Sequence, residues 1–339
     1  MKPGISVCRS AVKQFHSSAS RRLTVLPVQT SQWDTTVDSI KSFRHNAFAE
    51  RNPVLFRKEH GSPTATIPAL NKWFQGPASG PGTAKGRLSE QLDEFHQLPF
   101  PYEIVGASEA KLLAINAFCE SLVSSQDMGD QIIAGILHSA TASSPGGSFF
   151  QLFAPLKLLH KALEFNQLRR ASGESTMELY IAQSLLADLP AELLEDLPTP
   201  KLVLEAGKGD VYSSSIWLGT EPTYTPLHRD PNPNLFCQLY NQKVVRLLPP
   251  KLGEQLYLQV QIKLRLQGSS RMRGTEMMEG EEREILHEAV WKPEKIIEEM
   301  CEAELDAGDA LFVPEGWWHS VKSKGEDGDL NASVNWWFR

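Results

Sequence analysis

Residues 225–234 read TPLHRDPNPN, a stretch that sets His228 and Asp230 two positions apart. On an extended backbone side chains alternate, so an imidazole and a carboxylate at i and i+2 leave the same face. Three uses fit such a pair: a metal, a general base with its orienting acid, or a surface hairpin with no chemistry. A further candidate stands downstream in AGDALFVPEGWWHSV. There Gly308-Asp309 signals a turn, Ala310–Val313 reads as a strand, and Pro314 and Gly316 shape the approach to His319. A histidine beside two tryptophans is most often a buried residue with satisfied nitrogens. Joined to His228 and Asp230, it completes a set of two histidines and one carboxylate from separate strands. That set holds one face of an octahedral iron(II) and leaves the opposite positions open.

The neighbouring residue types suit the same site. Lys243 lies fifteen positions after His228, at the start of KVVRLLPP and beyond the turn Asn241-Gln242. A buried cation there would neutralise a dicarboxylate, whose desolvation without a counter-charge is costly. Thr225, three positions before His228, offers a hydroxyl. On NASVNWWFR the residues Ser333, Asn335 and Trp337 share one face, so an amide and an indole would point the same way.

These side chains need a scaffold that brings distant strands together. With 339 residues, 41% hydrophobic and 22% charged, the chain can bury a real core in one large domain or two ordinary ones. After Gly173 it breaks into short strands with turn signals: MELYIAQ, DVYSSSIWLG, NLFCQLY, KVVRLLPP, DALFVPEGWWHSV and NASVNWWFR. Short strands without alternating helices predict a barrel or sandwich, not a parallel sheet. Upstream, the stretch from Trp33 to His60 predicts a helix and then a strand in NPVLFRK, and 76–87 is a Gly- and Pro-rich loop. In ASEAKLLAINAFCESLV, Leu112, Ile115, Phe118 and Leu122 recur at helical spacing behind Ser108 as N-cap. GDQIIAGILHSA and FFQLFAPLKLLHKALEF read as further helices, and their His138 and His160 as packing or surface residues. Residues 267–288 read as a charged insert loop, with Arg271 and Arg273 against Glu276, Glu279, Glu281, Glu282 and Glu284. So polar a stretch predicts a mobile lid near the barrel mouth, and an acidic lid favours a basic substrate side chain.

The bulk numbers exclude several classes. A net charge of -7 carries no nucleic-acid signature. No run reaches the about 18 apolar residues of a membrane span. Cys8, Cys119, Cys237 and Cys301 form no CxxC pair, so neither a disulfide framework nor a zinc site is indicated. The first 24 residues are acid-free and carry Lys2, Arg9, Lys13, Arg21 and Arg22. That is the composition of a mitochondrial transit peptide and predicts the matrix, with nucleus or cytoplasm as the alternative.

TPLHRDPNPNLFCQLYNQKVVRLLPP, GDALFVPEGWWHSV and ASVNWWF together resemble the JmjC-domain (cupin-8-like) iron(II)- and 2-oxoglutarate-dependent oxygenases. Among these the chain is most similar to the small arginyl and asparaginyl protein hydroxylases. The resemblance runs from Met177 to Arg339, with a looser likeness at RNPVLFRK. It implies a mainly β protein with helices: a double-stranded β-helix (jelly-roll) barrel over 176–339, and a mostly helical region over 25–175 packed on it. It makes His228, Asp230 and His319 the iron ligands. Lys243, Thr225 and Tyr180 become partners for the C5 carboxylate of 2-oxoglutarate, and Asn234 and Asn335 amides near that cosubstrate. Trp217 and Trp337 become walls of the substrate pocket. The implied reaction takes dioxygen and 2-oxoglutarate to succinate and carbon dioxide while oxidising a C–H bond. Hydroxylation of a protein side chain is the leading expectation. N-methyl-lysine demethylation and hydroxylation of a modified tRNA base stand as alternatives within the family, and a catalytically silent binding barrel as one outside it. The insert falls where the family often touches substrate, which leaves the substrate open, as is the oligomeric state.

Overall fold

A computed structural model describes residues 25–76, 86–106, 108–142, 149–265, 280–293 and 297–339. Period-two patterning in its C-terminal half resolves into two facing sheets. The smaller has five strands in the order β1 (Leu26–Pro27), β13 (Cys301–Leu305), β12 (Lys243–Leu248), β15 (Trp318–Ser323) and β10 (Tyr224–Arg229). The larger has nine: β2 (Thr30–Ser31), β3 (Val54–Phe56), β14 (Ala310–Val313), β11 (Asn234–Tyr240), β16 (Leu330–Phe338), β9 (Val211–Thr220), β8 (Leu179–Leu185), β6 (Pro99–Val105) and β7 (Phe149–Pro155). A separate pair joins β4 (Phe74–Gln75) to β5 (Arg87–Leu88). This is the jelly-roll architecture of the cupin and JmjC folds, as expected.

Alternation along each strand divides the apolar residues among three cores. On β16, Val334, Trp336 and Phe338 pack outward with the helices behind the larger sheet. Ser333, Asn335 and Trp337 turn the other way, into the barrel. Leu55, Val245, Leu247, Leu311, Val313 and Val321 fill the interior between the sheets. Leu227, Leu248 and Trp318, on the outer face of the smaller sheet, meet Tyr257 and Val260 of the Pro250–Leu264 helix. Each such large side chain, fully buried, contributes about 1.5–3 kcal/mol. Gly253 marks the closest approach, since a Cβ there would fall 2.2 Å from the Trp318 ring.

Three elements differ from their expected form. Phe149–Pro155 is a strand, and the helix begins at Lys157 and runs to Ala171. Strand β7 pairs with β6 from Pro99↔Pro155 to Val105↔Phe149, so the N-terminal region lends β2, β3, β6 and β7 to the larger sheet and β1 to the smaller, beside its helices. Leu112, read as a core position, is 42% exposed, while Ala114, Ile115, Phe118 and Leu122 form the buried face. Ser108 does cap that helix, accepting from the Lys111 amide.

The third difference is the insert. Residues 266–279 lie outside the described residues, and Glu281–Trp291 is a helix, not a loop. Leu286 and Val290 sit fully buried in the core outside the smaller sheet. Glu282 turns inward and accepts from Gln261 Nε2 at 2.8 Å. Two leucine-class contacts per three turns suffice to dock a helix whose composition looks too polar to fold alone. The described part of the insert therefore braces the outside of the smaller sheet as a helix and not a loop, while Arg283, Glu284, His287 and Glu288 of the same helix line a cleft beside Tyr180.

Candidate metal centre

Two adjacent strands of the smaller sheet carry the histidines. His228 on β10 pairs with His319 on β15, and Thr225 pairs with Val321. Three residues on β10 thus span what two span on β15, which is a β-bulge. Without it Thr225 and His228, an odd number apart, would face opposite sides. With it both line the interior. Asp230 follows just after β10, in the proline-bracketed turn that leads to β11.

The three ligand atoms converge within 4.8 Å of one another, and among the described residues this is the one such group. The imidazole centroids are 4.2 Å apart, and His319 Nε2 lies 3.6 Å from Asp230 Oδ2. Each Nδ1 faces a carbonyl: His228 Nδ1 is 2.8 Å from Pro226 O, and His319 Nδ1 is 3.2 Å from Trp317 O. A carbonyl only accepts, so each ring donates from Nδ1 and turns its Nε2 lone pair inward, the form in which histidine binds a metal. The donor set, its convergence and the fixed tautomers all fit iron(II).

The carboxylate is held as firmly. Asp230 Oδ2 accepts from Trp337 Nε1 at 2.7 Å and from Asn234 Nδ2 at 3.1 Å. Asn234 Oδ1 in turn accepts from Asn335 Nδ2 at 2.9 Å.

Lys243 stands farther along the interior and is 2% exposed. Its Nζ donates to Ser333 Oγ at 2.9 Å and to the Tyr180 hydroxyl at 3.1 Å. It also lies 5.5 Å from the Tyr180 ring and 5.4 Å from the Phe236 ring, within cation–π range. Because the ammonium donates to both hydroxyls, their own protons remain able to donate to a carboxylate. Tyr180 reaches this position over Gly219, where a Cβ would fall 2.7 Å from its ring and 2.4 Å from Leu179 O.

One cavity is lined by His228, Asp230, His319, Lys243, Thr225, Tyr180, Asn234, Asn335, Trp217 and Trp337 together. Every site residue inferred from the sequence lies on it. Sequence reasoning missed the apolar lining, Phe236, Val245, Leu311, Val313 and Val321. The signal was available, because Val245, Val321 and Phe236 each stand two positions from Lys243, His319 and Asn234 on period-two strands. It also missed the direct hold of Trp337 on Asp230, which no residue spacing announces. A larger cleft of about 620 Å³ opens beyond Tyr180 beside Glu103, Glu178, Tyr224 and Arg283. Among the described residues it holds no convergent ligand set.

The fold and this constellation define a class: a jelly-roll barrel whose two histidines and one carboxylate could hold a metal, with a buried cation deeper in the same cavity. The cupin-like domain family matches residues 121–339, and the chain belongs to that family, in its JmjC branch. It is 31% identical over 176 residues to lysine-specific demethylase JMJ30 of Arabidopsis thaliana, covering 52% of this chain and 37% of that protein. With lysine-specific demethylase 8 of Danio rerio it shares 31% identity over 170 residues, 47% of this chain and 36% of the relative. JmjC domain-containing protein D of Dictyostelium discoideum is 29% identical over 184 residues, 49% and 39% of the two lengths. The chain thus spans less than two fifths of the length of these relatives.

Proposed function

We propose that this protein is an iron(II)- and 2-oxoglutarate-dependent oxygenase that oxidises a C–H bond of a protein side chain. One observation carries the reading: the metal-ligand triad and the buried Lys243 line the same cavity, with Thr225, Tyr180 and Ser333 beside the lysine. Iron(II), when bound, supplies the reductive activation of dioxygen, with 2-oxoglutarate consumed to succinate and carbon dioxide. His228, Asp230 and His319 hold the metal on one face. Lys243 anchors the distal carboxylate by charge, and the hydroxyls of Tyr180, Thr225 and Ser333 fix its orientation. Phe236, Val245, Val313 and Val321 keep the cavity dry, which strengthens each of these polar contacts. Trp217 and Trp337 wall the side on which a substrate side chain enters.

Two outcomes of the same oxidation separate the candidate substrates. Hydroxylation of a carbon-bound site leaves a stable alcohol. Hydroxylation of an N-methyl group collapses to formaldehyde and a demethylated amine, and the relatives named as lysine-specific demethylases favour this second reading. The tRNA alternative rests on family resemblance alone. The matrix location rests on the composition of residues 1–24, which lie outside the described residues, and the relatives' names carry no such address.

Purified protein with iron(II), ascorbate and 2-oxoglutarate is the test. Succinate formation that depends on Asp230 is expected, and its absence in the wild type overturns the oxygenase reading. Unmodified peptides, N-methyl-lysine peptides and tRNA, followed by mass, separate a gained oxygen from a lost methyl with formaldehyde. An oxygen gained on tRNA and on no peptide would overturn the protein-substrate reading.

A further inference from the structure

The amides Asn234 and Asn335 and the indole of Trp337 were expected to serve cosubstrate and substrate. We infer that, besides lining the cavity, they are positioning residues for Asp230, a directional relay that sets how tightly the metal is held. The inference rests on the metal-site reading above.

The direction of the relay follows from hydrogen-bond chemistry. An ionised carboxylate only accepts, so the group that Asn234 turns toward Asp230 Oδ2 must be its NH2. That leaves Asn234 Oδ1 facing Asn335, which must answer with its own NH2. Asn335 Oδ1 is then forced away, and it is buried without a hydrogen-bond partner among the described residues. A buried unmet acceptor costs about 1–3 kcal/mol. The orientation of both amides is therefore set from the Asp230 end, where the carboxylate can only accept. Trp337 Nε1 is donor-only and meets the same oxygen. Two N–H groups from β11 and β16 thus pin one oxygen of the carboxylate and fix its plane. All three positioning residues are buried on strands: Asn234 is 3%, Asn335 3% and Trp337 8% exposed. A ligand on a turn, held by groups on sheet strands, keeps its geometry before the metal arrives, and such outer partners typically change metal affinity 10- to 100-fold.

The test is a titration of the metal-free full-length protein with cobalt(II), read by its visible absorption, with thermal melting run alongside. Trp337→Phe keeps the ring and removes the donor. Asn335→Leu keeps the volume and removes the donor two hydrogen bonds from Asp230. Each is expected to weaken cobalt(II) binding by about ten- to a hundred-fold and to shift the absorption band, with melting little changed. The double variant Asn234→Leu/Asn335→Leu is expected to bind no more weakly than Asn234→Leu alone, because the second change acts through the first. Unchanged cobalt(II) affinity in either single variant that folds, or additive losses in the double, overturns the relay. A wild type that binds cobalt(II) no better than His228→Ala would instead overturn the metal-site reading beneath it.

Discussion

Glu221 offers a test of the barrel's polar end that does not depend on the metal. It lies between β9 and β10 and is 1% exposed. Burial pushes its carboxyl up from 4.5 to about 7, against hydrogen bonds from Asn331, Ser323 and the Gly325 amide. Oε1 accepts from Asn331 Nδ2 at 2.8 Å, while Oε2 has no partner among the described residues. The folded protein therefore keeps a proton that the unfolded chain releases between pH 4.5 and about 7. The stabilisation is complete below pH 4.5 and is lost as pH rises through about 7. At 1.36 kcal/mol per decade, ionising this group costs the fold roughly 3 kcal/mol. Urea unfolding of the wild type and Glu221→Gln, repeated from pH 5 to pH 8, reads the difference directly. The amide retains the acceptor for Asn331 and carries no charge, so the two proteins should be similar near pH 5. By pH 8 the variant should be more stable by an amount approaching roughly 3 kcal/mol. A gap between the two curves that stays constant with pH would refute the burial argument.

Four further outcomes follow from the same structure. His228→Ala, Asp230→Ala and His319→Ala should each abolish succinate formation in a folded protein, and turnover near wild type in any one removes that residue from the ligand set. Lys243→Met should raise the 2-oxoglutarate requirement about ten- to a hundred-fold, since a charge-assisted bond contributes about 1.5–3 kcal/mol; an unchanged apparent affinity assigns the carboxylate to another group. Leu286→Ala, in the helix behind the smaller sheet, should cost about 2–5 kcal/mol in urea unfolding, and a cost below about 1 kcal/mol would mean that helix is not docked. Residues 1–40 fused to a fluorescent protein should carry it into mitochondria, and a nuclear or diffuse signal would favour the nuclear or cytoplasmic alternative.

Much of the candidate site, as the structure brings it together, was readable because metal and carboxylate chemistry would admit few residue types. His228, Asp230, His319 and Lys243 could be singled out from a linear chain because a facial ligand set and a buried counter-charge each need a particular side chain on a strand. Ser333, Asn335 and Trp337 followed from period two alone. The helices behind the sheets were harder. FFQLFAP carries apolar residues at nearly every position, which suits a strand or a buried helix equally. What decides for a strand is β6, which lies more than forty residues earlier and pairs with it along its whole length. Glu281–Trp291 looked like loop for the opposite reason. Its stability comes from Leu286 and Val290 meeting Leu227, Tyr257 and Trp318, partners that local composition does not reveal.

The bulge in β10 shows where pattern reasoning stops. A reader applying strict alternation from His228 would place Leu227 outside, Pro226 inside and Thr225 outside. Leu227 is indeed outside, in the core against the Pro250–Leu264 helix. Thr225 is nevertheless inside, because the strand spends one extra residue between its pairing with Val321 and the pairing of His228 with His319. Pro226 explains why the extra residue sits there. Proline has no N–H to lose from the ladder, so it is tolerated where pairing is already interrupted. Its carbonyl, freed from regular pairing, is the group that receives His228 Nδ1. One irregularity thus turns a threonine into the cavity and supplies the acceptor that fixes the tautomer of His228. Both effects are consequences of a single residue in TPLHRD, and neither can be had from a regular strand.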